Sequence, residues 1–189
     1  MSAAGRFLYE TGTLKQTRRT SWWMVGARDP KNGAEHSWRT ALIATIKAKP
    51  GDAGPTRPAY LTVRHDTQES RTGNVNHLGK KYARAGEPQD VIADRTAGMP
   101  GVLASAVREL VAECEAEESP EAVRARDADK RECLLRGMEY QAQDYENAWW
   151  WMGDSRRRLI NPAANRPADE LLAQDIPDWS RPPLGEDKR

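Results

Sequence analysis

The sequence lacks the features of membrane-spanning, secreted and disulfide-rich proteins. It contains no run of about 18 apolar residues, the length that a membrane-spanning helix requires. Its first residues, MSAAGRFLYETG, lack the apolar stretch of a signal peptide. The two cysteines, Cys114 and Cys133, belong to no CxxC motif, which argues against a disulfide framework and against a zinc site of that type. These absences predict a cytoplasmic protein with two free thiols.

A large excess of charge of one sign is also missing. With 29 lysines and arginines against 28 acidic residues, the formal net charge is only +1. Such a chain exerts no strong long-range attraction on a nucleic-acid polymer or an acidic membrane, so we expect neither as a partner. Its 189 residues suffice for one domain, with or without a tail.

What the sequence does contain is helical periodicity. Residues 34–48 and 100–117 carry apolar side chains at the i, i+3, i+4 spacing of an amphipathic helix. Ser119, Pro120 and Glu121 have the order of an N-cap, a first-turn proline and a first-turn acid. No alternating strand pattern longer than four residues is present. The sequence thus predicts an all-α protein with helices over 34–48, 58–66, 75–85, 100–117, 119 to about 152, and 167–174.

The C-terminal part differs in composition from the rest of the chain. From Asn161 onward the sequence is rich in proline, aspartate and arginine. We therefore expect residues 1–160 to form the folded domain. Residues 161–189 are expected to form an extension with one short helix and a loose tail.

Histidine is scarce, and two of its three positions lie where chemistry is expected. His36 lies on the first strong helix, whereas His65 and Asp66 follow the apolar-leaning run AYLTV within RHDTQE, residues 64–69. The RHDTQE placement suits a capped helix end, a hydrogen-bonded core histidine or ligands of a metal ion. Composition alone does not decide among these three interpretations.

An acidic cluster, RDADK at residues 126–130, interrupts the long helical pattern where apolar residues recur on either side. Carboxylates that face a core are costly unless they are paired or bound to a metal. Two imidazoles and two carboxylates form a reasonable ligand set for manganese, iron, cobalt, nickel or zinc. A metal site is therefore one candidate explanation for this cluster.

The order of these motifs resembles that of the HD-domain metal-dependent phosphohydrolases, in which a histidine is followed by a His-Asp pair and a distant aspartate. The run RTSWWMVGARDPKNGAEHSWR is similar to the segment before the first metal histidine in the 5'-deoxynucleotidase branch of that superfamily. HDTQESRTGN and DADKRECLLRGMEY resemble its second and third motifs. The resemblance spans residues 7 to 146 and implies a helical bundle with a metal site between core helices.

The resemblance implies roles for particular residues. One divalent transition metal ion would be held by His36, His65, Asp66 and Asp129, the last chosen over Asp127 because it directly precedes Lys130. The other implied residues are catalytic Glu69 and Asn74, phosphate-binding Arg19 or Arg39, and Trp22, which would pack against the sugar and base. Where the family has Thr-Gly-Asp, this chain has Thr-Gly-Asn ending at Asn74, and asparagine cannot titrate.

The resemblance implies hydrolysis of deoxynucleoside 5'-monophosphates, and it implies a homodimer. Two alternatives stay open. One is a hydrolase of nucleoside triphosphates or a specialised nucleotide, for which Lys80, Lys81 and Arg84 would supply additional positive charge. The other is a nucleotide-binding protein that keeps the metal but has weakened catalysis, a hypothesis that Asn74 favours.

Four further features receive simpler interpretations. We expect Asp127 to be a solvated acid or to support the site from outside the ligand set, and His77 to lie on the surface. The tryptophans of residues 149–151 are interpreted as packing or dimer contacts. The arginines of residues 156–158 are interpreted as a solvated face.

Overall fold

A computed structural model describes residues 1–46, 54–83 and 86–173. Within these ranges all regular structure is helical, apart from one isolated β-bridge between Arg18 and Asn32. The all-α class is therefore confirmed. The helices are α1 (Ala3–Thr11), α2 (Gly33–Ile46), α3 (Thr56–Arg64), α4 (Glu69–Thr72), α5 (Pro88–Arg95), α6 (Gly101–Ala116), α7 (Pro120–Gln141), α8 (Ala148–Arg157) and α9 (Pro162–Leu172). Short 3₁₀ helices cover Gly12–Lys15, Thr20–Val25 and Gly79–Lys81.

Helix α7 is the longest helix described and lies at the centre of the bundle, packed against α2, α3 and α8. Ser119 caps it as predicted, because its side chain accepts a hydrogen bond from the Ala122 backbone N–H at 3.1 Å. Leu134 and Tyr140 of this helix are buried. Helices α2, α3 and α7 carry or adjoin the residues of the candidate site described below.

The predicted single helix from 119 to about 152 is wrong. Helix α7 ends at Gln141, and Asp144 adopts the left-handed conformation with φ 67° before α8 begins at Ala148. Helix α8 then packs back against α7, with Met152 against Gly137. A side chain at Gly137 would overlap Met152, so the glycine permits this close approach.

Other sequence-based boundaries also change. Of the helix predicted over 75–85, only the 3₁₀ turn Gly79–Lys81 is present in the part that the structure describes, where the Asn76 side chain accepts from the Gly79 N–H. Helices α1 and α5 were not predicted, because each is short and has a mixed composition. The helix predicted over 167–174 runs instead over Pro162–Leu172, and the tail from residue 174 lies outside the described residues.

No helix in the described ranges combines the length and the apolar character that crossing a bilayer would require.

Candidate metal centre

The structure brings the four predicted metal ligands together from three helices. His36 lies on α2, His65 and Asp66 follow the last residue of α3, and Asp129 lies on α7. His36 Nε2 is 2.9 Å from Asp129 Oδ1 and 3.6 Å from Asp66 Oδ2, and His65 Nε2 is 3.2 Å from Asp66 Oδ2. Residues about 30 and 60 positions apart in the chain thus converge on one point.

Each histidine is oriented by a hydrogen bond from its other ring nitrogen. His36 Nδ1 lies 2.5 Å from Glu132 Oε2, and His65 Nδ1 lies 2.6 Å from the Thr62 carbonyl oxygen. With these acceptors Nδ1 carries a proton, so the neutral form of each ring has its lone pair on Nε2. Both Nε2 atoms are buried, and although Asp129 and Asp66 oxygens lie 2.9 and 3.2 Å away, neither nitrogen makes a well-aligned hydrogen bond among the described residues.

These orphaned nitrogens are the observation that fits a metal ion. A buried polar atom without a partner is costly, and a cation placed between two imidazole lone pairs and two carboxylates would satisfy all of them. Of the three sequence interpretations of RHDTQE, the metal-ligand one accounts for the unpaired Nε2 of His65.

Behind His36 lies a buried network of charges that the sequence reasoning missed. Glu132, which is 1% exposed, accepts hydrogen bonds from Lys31 and, at 2.8 and 3.0 Å, from Arg39 as well as facing His36. Arg39 extends to Glu139, which also bonds Arg136. The only sequence signal for Glu132 was its position three residues after Asp129 on the same helix face.

The position of Arg39 differs from that expected of a phosphate-binding residue. Its guanidinium is paired with Glu132 and Glu139, and it lines a separate cavity of about 200 Å³ together with Trp38. Arg19 is placed differently, because its Nη1 is 2.6 Å from Asp66 Oδ2 and 4.0 Å from Glu69 Oε2. Of the two predicted arginines, only Arg19 reaches the metal-ligand cluster.

The local field keeps the carboxylate ligands ionised. Burial opposes ionisation of Asp66, but the charges of His65 and Arg19 outweigh it and hold the pKa of Asp66 well below its usual range. Burial likewise opposes the charge of Asp129, yet Lys130 and His36 lower the pKa of that carboxyl. Both acids are therefore available to a cation at neutral pH.

The two histidines titrate differently. Burial, followed by the nearby Arg19, lowers the pKa of His36, so its imidazole is neutral. Burial works in the same direction on His65, but the Asp66 charge outweighs it and raises the pKa of His65 to about 9. A cation that binds His65 must therefore displace a proton.

Glu69 is held beside the ligands by Asn74. The Asn74 side-chain N–H donates to Glu69 Oε1 at 2.8 Å, while its Oδ1 accepts from the Thr20 backbone N–H at 2.9 Å. The other carboxylate oxygen, Glu69 Oε2, is buried without a hydrogen-bond partner in the described part of the chain. Burial, and then the charge of Asp66, raise the pKa of Glu69 to about 7.

Two cavities, with volumes of about 490 and 340 Å³, adjoin the predicted metal ligands. Both are lined by the cluster residues Asp66, Glu69, Lys80, Asp129 and Lys130. The smaller one also contacts Arg19, Trp22, His77, Trp151, Asp154 and Arg158. The larger one adds the acids Glu87, Glu115 and Glu117 and one arginine, Arg126.

Trp22 and Trp151 give the smaller cavity its aromatic wall. Trp22 is 3% exposed and packs at 4.9 Å from the Tyr140 ring, so most of its surface belongs to the core. Trp151 lies edge-on to His77 at 4.8 Å, and its Nε1 has no hydrogen-bond partner among the described residues. The packing interpretation of residues 149–151 therefore misses the cavity contact of Trp151, whereas Trp149 and Trp150 are exposed.

Asp127, His77 and the arginines of residues 156–158 differ in how far they match the simpler interpretations. Asp127 is not solvated, because it is buried and its two oxygens accept from the backbone N–H groups of Ile160 and Asn161. His77 is exposed as predicted, although it also lines the smaller cavity. Arg156 pairs with Asp169 across α8 and α9, whereas Arg158 reaches the cavity wall.

A model of the HD domain family matches residues 11–163, and the chain therefore belongs to that family. The mouse 5'-deoxynucleotidase HDDC2 is 28% identical over 151 residues, which cover 77% of this chain and 74% of that protein. The 5'-deoxynucleotidase hdd1 of Schizosaccharomyces pombe is 27% identical over 141 residues, or 71% of each chain. The resemblance inferred from the sequence motifs is thus confirmed at the level of the family.

A solved structure extends the likeness to three dimensions. The cyanophage S-2L HD phosphohydrolase DatZ, described as bound to dA and one catalytic Zn²⁺ ion, superposes with a TM-score of 0.55 at 25% identity. The match covers 87% of this chain and 91% of that one.

Proposed function

We propose that this protein is a metal-dependent phosphohydrolase that cleaves deoxynucleoside 5'-monophosphates into nucleoside and orthophosphate. The single observation that carries the proposal is the pair of buried, unpartnered Nε2 atoms of His36 and His65 facing Asp66 and Asp129. The names of the relatives, 5'-deoxynucleotidase, support the substrate class.

The ligand set of the proposed ion is His36, His65, Asp66 and Asp129. Mixed imidazole and carboxylate donors suit manganese, iron, cobalt, nickel or zinc. Such an ion lowers the pKa of a bound water and so supplies the nucleophile at neutral pH. Glu132 and the Thr62 carbonyl keep the two imidazoles in the tautomer that ligation requires.

Glu69 is the proposed acid–base residue. Its Oε2 has no hydrogen-bond partner among the described residues and lies 4.0 Å from Arg19 Nη1, and a carboxyl with a pKa of about 7 accepts and returns a proton near neutral pH. Asn74 orients this carboxylate through the bond to Oε1, and its own amide is held by Thr20. In this proposal Asn74 positions the base and transfers no proton.

The substrate phosphate is proposed to bind Arg19, with Lys80 and Lys130 as the neighbouring cations of both cavities. Arg19 would exchange its present partner Asp66 for phosphate oxygens once that carboxylate holds an ion. The pairing of Arg39 with two carboxylates gives no support to its predicted phosphate contact.

The nucleoside is proposed to occupy the smaller cavity, between Trp22 and Trp151. Its volume of about 340 Å³ falls within the roughly 300–1,000 Å³ of small-molecule sites, and its wall is aromatic. Trp22 is the residue proposed to discriminate against the ribose 2'-hydroxyl, because its position is held by the core packing against Tyr140.

The two alternatives have weaker support. A triphosphate would extend into the larger cavity, but there Glu87, Glu115 and Glu117 would oppose its charge. Lys81 does not line either cavity, and Arg84 lies outside the described residues. A catalytically weakened binding protein is not favoured either, since Asn74 holds Glu69 in place.

Phosphate release from deoxy- and ribonucleoside mono- and triphosphates, with manganese, cobalt, zinc or EDTA added, tests the proposal. We expect metal-dependent orthophosphate from deoxymonophosphates and little from the ribonucleotides. Release of tripolyphosphate, or a metal-loaded protein that releases nothing from any of them, would contradict it.

That the ion is a transition metal, the homodimer, the cytoplasmic location and the absence of a nucleic-acid or membrane partner stay predictions from the sequence. Sedimentation of the purified protein and metal analysis after purification without added metal would test the first two.

A further inference from the structure

Cys133 is a residue at the candidate centre that the predicted ligand set does not use. It follows Asp129 by four residues on α7, about one helical turn, so both side chains leave the same helix face. Its Sγ lies 4.0 Å from Asp129 Oδ1. The ligand atoms of His36, Asp129 and Cys133 all lie within 4.8 Å of one another.

A second observation points to a ligand at this place. His36 is completely buried, and its Nε2, which belongs to this group of three atoms, has no hydrogen-bond partner among the described residues. Cys133 is half-buried, lines the smaller cavity and brings its Sγ to 4.0 Å from Asp129 Oδ1.

The distance between Cys133 Sγ and Asp129 Oδ1 is compatible with two donors that bind the same ion. Thiolate sulfur binds zinc at about 2.3 Å and carboxylate oxygen at about 2.0–2.2 Å, so two such donors are never more than roughly 4.5 Å apart. The 4.0 Å between Sγ and Oδ1 falls inside this limit. Cys133 therefore reaches an ion bound by Asp129 without a change of backbone.

We propose that Cys133 is an additional ligand of the metal ion and makes the centre select thiophilic metals, namely zinc, cobalt and ferrous iron, over manganese and magnesium. This rests on the metal centre of the proposed function. On binding, the thiol releases its proton to solvent, and the sulfur replaces one water of the hydrated ion. Soft thiolate favours these metals, whereas carboxylates and water suit manganese and magnesium.

The second cysteine provides a matched control. Cys114 is also a free, half-buried thiol and lines the larger cavity, but it belongs to neither group of atoms close enough to share an ion. Burial raises the pKa of the Cys114 thiol to about 12, so it is a poor source of thiolate.

The test is a cobalt titration of the full-length protein, first stripped with a chelator and kept reduced. A thiolate bound to Co²⁺ gives a near-ultraviolet charge-transfer absorption that imidazole and carboxylate ligands do not. We expect this absorption in the wild type and in Cys114→Ser, and its loss in Cys133→Ser. Competition titrations should show Zn²⁺ affinity falling about tenfold or more in Cys133→Ser, with a smaller fall for Mn²⁺.

A wild-type cobalt complex without the charge-transfer absorption would overturn the inference, and that result needs no variant to fold. Persistence of the absorption in Cys133→Ser would overturn it too, as would equal losses of Zn²⁺ and Mn²⁺ affinity. These outcomes are independent of turnover. A protein with the absorption but no deoxynucleotidase activity would contradict the proposed function and leave the ligand assignment intact.

Discussion

At the residue scale, the charge of Glu132 has two effects, which a comparison of two variants can separate. It orients His36 through Nδ1, and it neutralises the buried Lys31 and the half-buried Arg39. The first effect concerns metal affinity, because outer hydrogen bonds to a ligating histidine typically contribute 10–100-fold. The second concerns folding, because a buried cation without its partner is strongly destabilising.

We expect Glu132→Gln to weaken metal binding by roughly 10–100-fold and to destabilise the fold by about 3–5 kcal/mol. Metal titration and denaturant unfolding measure the two effects. Glu139→Gln is the control, since Glu139 pairs with Arg39 and Arg136 but does not touch His36. It should cost stability and leave the metal affinity unchanged, and an equal loss of metal in both variants would argue against the orienting role.

Ionised Glu69 is expected to lower the free energy of unfolding of the metal-free protein, although the same carboxylate supports turnover. Its pKa of about 7 in the folded chain lies above the ordinary value of 4.5, so its contribution to stability is greatest below pH 4.5 and declines as the pH rises toward 7. Glu69→Gln removes the titrating carboxyl and therefore this pH-dependent decline in the free energy of unfolding. The metal-free variant should therefore be more stable than the metal-free wild type at pH 8, by about 3 kcal/mol, and should show a much smaller difference at pH 4.5.

The same variant should bind the metal normally and lose about 10²–10⁴-fold in turnover. Thermal unfolding at the two pH values and a kinetic assay check both expectations. Loss of the metal would instead make Glu69 a ligand, and a pH-independent gain in stability would mean that its titration is not the cause.

Asn74 sets the protonation of Glu69 by donating to it. Asn74→Asp replaces the donor with a second carboxyl beside Glu69 Oε1, so the two groups compete for one proton. We expect the acid limb of the kcat/KM pH profile to move to higher pH. Ala at this position removes the donor but adds no charge, so it should lower kcat and move the acid limb in the same direction by a smaller amount. A large gain in rate at all pH values in Asn74→Asp would favour the hypothesis that Asn74 weakens catalysis.

At the element scale, the close packing of α7 and α8 positions the aromatic wall of the smaller cavity. Met152 of α8 fills the space above Gly137 of α7, and Trp151 is its immediate neighbour. The break between these helices, near Asp144, allows α8 to turn back over the site. The position of the aromatic wall therefore depends on the contact between Gly137 of α7 and Met152 of α8.

We expect Gly137→Ala to destabilise the protein by about 1–3 kcal/mol through overpacking and to raise KM as α8 moves outward with Trp151. Gly153→Ala on α8 is the matched control, because the new methyl group would meet only the flexible end of Arg157 at an ordinary contact distance. It should stabilise the helix by about 0.5–1 kcal/mol with unchanged KM. Unfolding curves and steady-state kinetics separate the two variants, and equal effects would contradict the packing argument.

At the scale of the whole molecule, the proposed ion would cross-link helices that are distant in the chain. Its ligands come from α2, the end of α3 and α7, and these three helices pack on one another. An ion that binds only the folded state adds about 2.7 kcal/mol of stability at a concentration 100 times its Kd. Metal binding should therefore raise the stability of the entire bundle.

We expect saturating zinc or manganese to raise the Tm by roughly 5–10 °C over the EDTA-treated protein, given about 2–4 °C per kcal/mol for a chain of this size. Calorimetry with and without EDTA measures the shift. His65→Ala and Asp66→Ala should abolish it together with activity. His77→Ala should retain the full shift, since His77 lies at the cavity rim and outside the ligand cluster.

Sequence alone determined the helical class and the start of α7, because these depend on signals that act within one or two helical turns. The Ser119 cap is of this kind. The apolar spacing in residues 34–48 predicted a helix correctly but not its buried face, because Trp38, Leu42 and Ile46 are exposed and the buried side carries His36, Ser37, Thr40 and Ala44. Sequence also determined the family, through the order of the His, His-Asp and Asp motifs along the chain. The motif order also selected the four residues that the structure brings together. Short helices such as α1 and α5 lack a strong local pattern, and they were missed.

Only the tertiary structure decided which charged residues face one another. Arg19 and Arg39 were equivalent candidates in the sequence, yet packing pairs Arg39 with Glu132 and Glu139 and places Arg19 beside Asp66. The partners in these contacts are separated by 47 to 100 residues. Local patterns hold no information at that range, because the choice of partner depends on how the helices pack. The same reason applies to Glu132, Trp151 and Cys133, whose roles follow from what α2, α7 and α8 enclose.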